Sequence, residues 1–226
     1  MIKENVLEVR RRIEAACLRA KRDPASVKLV AVSKGRSIER IKEVHLTGIV
    51  DFGENKVQEA LLKYEEKLAV QWHMIGHLQT NKAKEAVKIF DLIHSVDSLR
   101  LAEEIDKQAA KINKIQNVLI EVKTSPEATK FGIEPDQVAE VIKEIAKLKN
   151  INIQGLMTIA PLVSIQEESR PYFRTLRELR DKINQSSVIG NPLSVLSMGM
   201  TDDFEIAIEE GSEIVRIGRA LFEEGL

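Results

Sequence analysis

Lys34 closes the run Val27-Lys28-Leu29-Val30-Ala31-Val32-Ser33-Lys34, and a lysine in that setting can do carbonyl chemistry. The run before it is short and rich in β-branched residues, so it reads as a buried strand, Val27–Ser33. A lysine at the exit of such a strand is carried by a rigid element, with its stem against apolar walls. Burial there disfavours the ammonium, lowers the pKa and leaves more amine free to attack a carbonyl carbon. The structural alternative is a lysine snorkelling at a strand end. A second group lies far downstream. Ser197-Met198-Gly199-Met200-Thr201-Asp202 joins a short strand to the helical stretch Asp203–Glu209. Gly199 lets the backbone come close to a ligand, Ser197 and Thr201 offer hydroxyls, and a helix start offers free N–H groups; together these suit an anion. Asp202 is placed to be the N-cap of that helix. Arg216-Ile217-Gly218-Arg219 repeats the arrangement, with Gly218 opening a last short helix.

The elements that must carry these residues alternate along the whole chain. Ile2, Val6, Val9, Ile13, Ala16 and Ala20 recur at helical spacing, which predicts an amphipathic N-terminal helix ended by Pro24. The predicted strands are Val27–Ser33, Ile49–Phe52, Gln71–Ile75, Leu92–His94, Val118–Val122, Ile153–Met157, Val195–Ser197 and Ile214–Ile217. Helical patterns lie between most of them, among them Leu99–Lys111, Pro135–Lys147 and Glu168–Asn184. Such alternation predicts an α/β fold, a single-domain (β/α)8 TIM barrel over residues 1–226 with an extra N-terminal helix. An open doubly wound sheet is the alternative, weakened because no Gly-x-Gly-x-x-Gly follows the first strand. In a barrel the strand C-termini share one face, and that face carries the chemistry. Lys34, Gly53-Glu54-Asn55, His73, Gly76, His77, Met157, Thr158, the Ser197–Thr201 loop and Arg216–Arg219 all fall there. Barrels commonly bind phosphate at their seventh and eighth loops. A lysine able to form an imine, opposite such a cup, suggests pyridoxal 5′-phosphate (PLP): its aldehyde toward Lys34, its phosphate toward the Ser197 and Gly218 loops, and its pyridine ring toward Arg216.

Composition removes several classes of function. A net charge of −1 gives no general attraction to nucleic acid or anionic lipid. Two Tyr, one Trp and six Phe are too few for a base-stacking surface. Cys17 is the only cysteine, which excludes an internal disulfide and a cysteine zinc cluster; it reads as a packed thiol, and no metal site is expected. The charged N-terminus has no signal-peptide pattern and no stretch is apolar enough to cross a bilayer, so a cytoplasmic protein is expected. The charge-rich helices Glu59–Lys67, Asn81–Lys88 and Val138–Lys149 read as solvated faces, and His45 and His94 as packing residues.

Longer motifs sharpen the reading. Ala31-Val32-Ser33-Lys34, Phe52-Gly53-Glu54-Asn55, Trp72-His73-Met74-Ile75-Gly76-His77-Leu78-Gln79-Thr80-Asn81-Lys82, Gly155-Leu156-Met157-Thr158, Ser197–Asp203 and Val215-Arg216-Ile217-Gly218 occur in this order. Over essentially the whole chain they resemble the pyridoxal phosphate homeostasis proteins, single-domain relatives of the alanine racemase N-terminal barrel. The resemblance implies that Lys34 carries PLP as an internal aldimine, with Asn55, His77 and Met157 about the ring. It implies that Ser197, Gly199, Thr201, Gly218 and Arg219 surround the phosphate, and that Arg216 faces the pyridine nitrogen. Three departures stand out: Gly35-Arg36-Ser37 where Thr-Lys-x is more usual, Thr201 where Ser is common, and the ending Glu223-Glu224-Gly225-Leu226.

A permanently cationic arginine opposes protonation of a pyridine nitrogen and leaves the ring a weaker electron sink. Racemases with such an arginine add a second base from a further domain across a dimer, and the chain is expected to lack one. The reading is therefore a monomeric PLP carrier or regulator with no catalytic residue, exchanging its cofactor with amino acids or PLP-requiring apoenzymes. The alternatives are a PLP-dependent amino-acid racemase or lyase, with His73 or His77 as a weak acid–base group, and an aldolase-type Schiff-base former without PLP.

Overall fold

The computed structural model describes residues 1–125, 127, 131–186 and 190–223. Eight parallel strands, β1 (Lys28–Val32), β2 (Asp51–Glu54), β3 (Gln71–Met74), β4 (Leu92–Val96), β5 (Gln116–Glu121), β6 (Ile151–Met157), β7 (Val195–Ser197) and β8 (Ile214–Ile217), pair in sequence order. Lys28 to Ala31 of β1 then pair with Ile214 to Ile217 of β8 and close the barrel. Around it lie α2 (Ile38–His45), α3 (Val57–Tyr64), α4 (Ala83–Ile89), α5 (Leu99–Ala110), α6 (Val138–Ile145), α7 (Arg170–Gln185), α8 (Phe204–Glu209) and α9 (Arg219–Phe222), preceded by α1 (Ile2–Arg19). The barrel and the extra helix are those expected. Among the strands the largest displacement is at the second, whose ladder begins at Asp51 rather than Ile49. Ile49 is buried among helix residues, so its apolar signal belongs to the outer layer. Of the predicted chain ending, only Glu223 lies within the described residues.

Strand alternation sorts the barrel into two environments. Ala31, Phe52, Trp72, Ile93, Val118, Leu156 and Ile217 face outward into one large cluster with the helices. Val30, Leu92, Leu119, Met157 and Ile214 form a separate small cluster inside. The rest of the interior is polar: Asp51, His73, His94, Ser197 and Arg216 are all buried. The outer ring is thin beside β8, where α8 has six residues and α9 only four. There α1 closes the ring, burying Ile2, Val6, Val9, Ile13, Ala16 and Cys17. Arg12 pairs with Glu205 at 2.8 Å, Arg19 with Glu209 at 2.6 Å, and Asn5 Nδ2 donates to Glu223 O at 2.9 Å. Burial pushes the Cys17 thiol up, as befits a packing residue. Among the described residues no helix is long and apolar enough to cross a membrane.

Gly155 is where the sheet tolerates least. It pairs with Val195, and a Cβ there would lie 1.8 Å from Val195 O. Any side chain would push β7 away from β6, and β7 leads directly into the Ser197 loop. Gly155→Ala should lower unfolding free energy by roughly 1–3 kcal/mol or more, as overpacked sites do, measured by urea denaturation.

Candidate cofactor site at the barrel mouth

Lys34 does not sit where the strand reading put it. Pairing of β1 with β2 ends at Val32, and Arg36 N–H donates back to Ser33 O at 3.0 Å, so Lys34 lies in a turn beyond the strand. It is exposed. Burial against apolar walls, the expected means of activating its amine, is therefore absent. The turn is instead held from below by an ionic cluster. Lys63 Nζ, on α3, donates to Ser33 O at 2.7 Å, to Glu54 Oε1 at 2.6 Å and to Glu59 Oε1 at 2.6 Å. All three ammonium protons are thus used. Ser33 Oγ donates to Glu54 Oε1 at 2.6 Å, and Gly35 N–H to Glu59 Oε1 at 2.5 Å. Burial pushes the Glu54 carboxyl up against the pull of Lys63 and Ser33, whereas at Glu59 the hydrogen bonds from Lys63 and Gly35 outweigh burial and hold it down. Glu59 and Lys63 look like a surface i,i+4 pair in sequence; only packing against β2 shows that Lys63 is buried.

Arg216 enters the interior from β8, 3 % exposed. Its guanidinium donates to Ser197 O at 2.8 Å, Ser197 Oγ at 2.7 Å and Thr158 O at 2.9 Å. No carboxylate among the described residues pairs with it. Burial lowers it to about 10, with Asp203 and Glu121 opposing, so it remains cationic at neutral pH. From Ser197 a chain of 2.9 Å contacts crosses the barrel: Ser197 Oγ to His94 Nδ1, His94 Nε2 to His73 Nδ1, His73 Nε2 to Asp51 Oδ1, and Lys28 Nζ to Asp51 Oδ1. Arg216 can only donate and an ionised Asp51 only accept. The assignment that gives every proton an acceptor has Ser197 Oγ–H donating to His94, His94 Nε2–H to His73, and His73 Nε2–H to Asp51. Burial above all, with the cations Arg216 and Lys28 adding to it, holds His94 well below its usual range and hence neutral. His94 is thus a link in a polar chain, not the packing residue expected, because the interior it enters is polar at that level.

The loop beyond β8 lies beside the end of β1 that leads to Lys34, and the loop beyond β7 adjoins β8, where Arg216 N–H donates to Gly199 O at 3.0 Å. A Cβ on Gly218 would sit 3.4 Å from Val32 Cβ, two residues before Lys34. Gly199 has φ +94°, a conformation that favours glycine, and a Cβ there would lie 2.5 Å from Ala207 Cβ. Among the described residues the N–H groups of Gly199, Thr201, Gly218 and Arg219 have no hydrogen-bond partner. Ser197 and Thr201 are buried, Gly218 half-buried and Arg219 exposed. Gly218 caps α9 as expected. Asp202 is not the N-cap of α8: Asp203 holds that position and accepts Met200 N–H at 2.6 Å, freeing Asp202 to pair with Arg219. Beside these loops a cavity of about 600 Å³ opens, lined by Ile159, Ala160, Pro161, Met200, Asp202 and Asp203 among others.

On the other side, Asn55 is half-buried and lines a cavity of about 410 Å³ with His77. His77 stacks on Phe131 with centroids 3.7 Å apart, and its Nδ1 lies 3.1 Å from Asp97 Oδ2. Met157 belongs to the interior apolar cluster, beneath the mouth. Among the described residues no cluster of metal-ligating side chains occurs.

The mouth therefore combines an exposed primary amine, two loops with unused N–H donors, a buried guanidinium committed only to neutral acceptors, and Glu121, a buried carboxyl with an unpaired oxygen. That donor set fits a phosphorylated aldehyde such as PLP and defines a cofactor-holding barrel. Comparison with known proteins agrees. Residues 2–224 match the alanine racemase N-terminal domain family. The pyridoxal phosphate homeostasis protein of Aquifex aeolicus is 48 % identical, covering 98 % of this chain and 97 % of its own. That of Pseudomonas aeruginosa is 40 % identical over 98 % and 94 %. The structure of PipY from Synechococcus elongatus solved with PLP bound is 36 % identical, with a TM-score of 0.85, over 98 % of this chain and all of that one. An alanine racemase of Clostridium difficile shares the fold at 16 % identity, TM-score 0.77, with 56 % of its chain covered. The chain belongs to the pyridoxal phosphate homeostasis protein family.

A buried neutral histidine has a pH signature. The folded value of His94 lies below the unfolded one, so its contribution to stability is present above about 6.5 and is lost as pH falls through that value. Between pH 6.5 and 5.5 this amounts to about 1 kcal/mol. In urea titrations, His94→Gln should lose less stability than the unmodified protein over that interval; equal losses would contradict the assignment.

Proposed function

We propose that this protein binds PLP covalently but reversibly through Lys34 and thereby helps to control its free supply, without turnover of its own. The observation that carries the reading is the neighbourhood of the Lys34 turn and the Ser197 and Gly218 loops across the β8–β1 seam, with Arg216 beneath them. When bound, PLP supplies an aldehyde that condenses with a primary amine and can pass to another. Lys34 Nζ would be the resident amine, exposed and so open to competition from an incoming one. Ser197, Gly199, Thr201, Gly218 and Arg219 would hold the phosphate, largely through backbone N–H groups, and Asn55, His77 and Met157 would border the ring. Arg216, a donor only, would sit at the pyridine nitrogen and oppose its protonation. That disfavours carbanion chemistry and supports a carrier. The acceptors would be amino acids or PLP-requiring apoenzymes in the cytoplasm, and the protein would act as a monomer.

One observation favours a second reading, weak racemase or lyase activity: His77, oriented by Asp97, is a positioned imidazole at the mouth. Chiral analysis of amino acids incubated with the loaded protein separates the two, and sustained turnover would replace the carrier reading. Incubation with PLP followed by borohydride reduction should leave one pyridoxyl phosphate group on Lys34, water having been lost in the condensation, and none in Lys34→Ala. A wild-type protein left unlabelled would overturn the proposal.

A further inference from the structure

The two soft dihedrals of a residue lie between the peptide groups on either side of its Cα. At Lys34 both of those groups are held by α3. The carbonyl before it, Ser33 O, accepts a proton of Lys63 Nζ at 2.7 Å, and the N–H after it, that of Gly35, donates to Glu59 Oε1 at 2.5 Å. Glu59 and Lys63 are joined at 2.6 Å one helical turn apart, and Lys63 is anchored in turn to Glu54 Oε1, also at 2.6 Å, where β2 ends. Lys63 and Glu54 are buried, so solvent does little to loosen this arm. The rest of the turn is held less firmly. Gly35 has φ +68°, and a Cβ there would meet nothing within 4 Å, so packing does not confine it and neither does its own residue type. On the far side Arg36 N–H returns to Ser33 O at 3.0 Å, and the Arg36 side chain pairs with Glu223 at 2.7 Å. That ion pair is partly exposed, acts one residue beyond Gly35 and is of the weak kind. The bond from Gly35 to Glu59 is therefore what fixes the second of the two peptide groups.

We propose that Glu59 is a positioning residue for the covalent step: backed by Lys63, it holds the Lys34–Gly35 peptide so that the lysine side chain leaves the turn in one direction before any aldehyde arrives. The inference rests on PLP being bound through Lys34. In that step the free amine of Lys34 adds to the aldehyde carbon, the carbon–nitrogen double bond forms, and the aldehyde oxygen leaves as water with both amine protons. Glu59 takes no part in that exchange and acts only through the backbone. A turn ordered in advance has less freedom to lose when the bond forms, which strengthens binding without any new contact. Glu59 thus governs the part of the affinity that runs through Lys34 and leaves untouched the part that runs through the loops beyond β7 and β8.

The test compares PLP with 4′-deoxypyridoxine 5′-phosphate, which carries a methyl group in place of the aldehyde and so reports binding without the bond to Lys34. Both dissociation constants are measured by calorimetry for the unmodified protein, for Glu59→Ala, which removes the tether, and for Glu59→Gln, which keeps a side-chain oxygen for Gly35 N–H. Glu59 is half-buried on the outside of α3, a position where both replacements fit. Glu59→Ala should raise the PLP constant roughly threefold to tenfold, the effect of ordering one freed side chain at binding. The analogue's constant should stay as it is, and Glu59→Gln should recover most of the PLP affinity. An unchanged PLP constant in Glu59→Ala, or an equal rise for both ligands, overturns the positioning role and leaves the PLP reading intact. An unmodified protein that binds both ligands equally, and carries no label on Lys34 after borohydride reduction, removes that reading itself. Amide hydrogen exchange in the unmodified protein gives a check free of mutation. The exposed Gly35 N–H should exchange at least tenfold more slowly than in a free peptide; exchange at the free-peptide rate sinks the tether.

Discussion

A cationic side chain inside a closed sheet must find acceptors there, and Arg216 finds only neutral ones. Hydrogen bonds to a charged group contribute about 1.5–3 kcal/mol each, and the three that Arg216 makes tie β8 to β7 and to the residue after β6. Ser197 can serve it only because its own proton has somewhere to go. That need is met by His94, then His73, then Asp51, and Asp51 is in turn neutralised by Lys28 at the start of β1. The interior is therefore a polarised line between a guanidinium and a carboxylate, with one small apolar cluster beside it. Removing any link strands a buried donor or acceptor, the situation that proteins tolerate least.

The same logic separates the two functional edges of the mouth. The proposed phosphate side is built from backbone: unused N–H groups on loops whose course is set by Gly199 and by the short helices that follow. Its geometry is inherited from β7 and β8. The amine side is built from charge. Lys34 is exposed and unrestrained by packing, but the turn that bears it is pinned by Lys63, Glu54 and Glu59 underneath. A reactive amine on a fixed turn, open to solvent, suits an exchangeable bond better than a buried one would, since an incoming amine must reach the same carbon.

Much of this was legible in the chain. Short β-branched runs alternating with amphipathic helices can only be sheltered on both faces, which is why eight strands and a barrel followed from periodicity. Gly199 and Ser197 in one loop, and Gly218 with Arg219 in the next, suggested an anion site because two such turns fell at the seventh and eighth strand ends of a barrel. Other features were hidden for identifiable reasons. Asp202 and Asp203 are equivalent as caps until the turn is built, and the structure chooses Asp203 through its bond to Met200 N–H. Lys63 resembled any surface lysine, and His94 any strand residue, because burial of a polar group depends on partners distant in sequence. Glu121 gave no signal at all, since nothing local distinguishes a strand-end glutamate in solvent from one inside a barrel.

Local order and patterning thus determined the element sequence, the parallel sheet, and which loops and which amine the proposed function draws on. Tertiary structure alone decided which charges lose their water. Lys34, the residue the sequence would have buried, stays exposed, while Lys63, His94, Arg216 and Glu121 go inside. The reason is that desolvation is a property of closure: it exists only once β8 meets β1, and no stretch of chain read alone contains that contact.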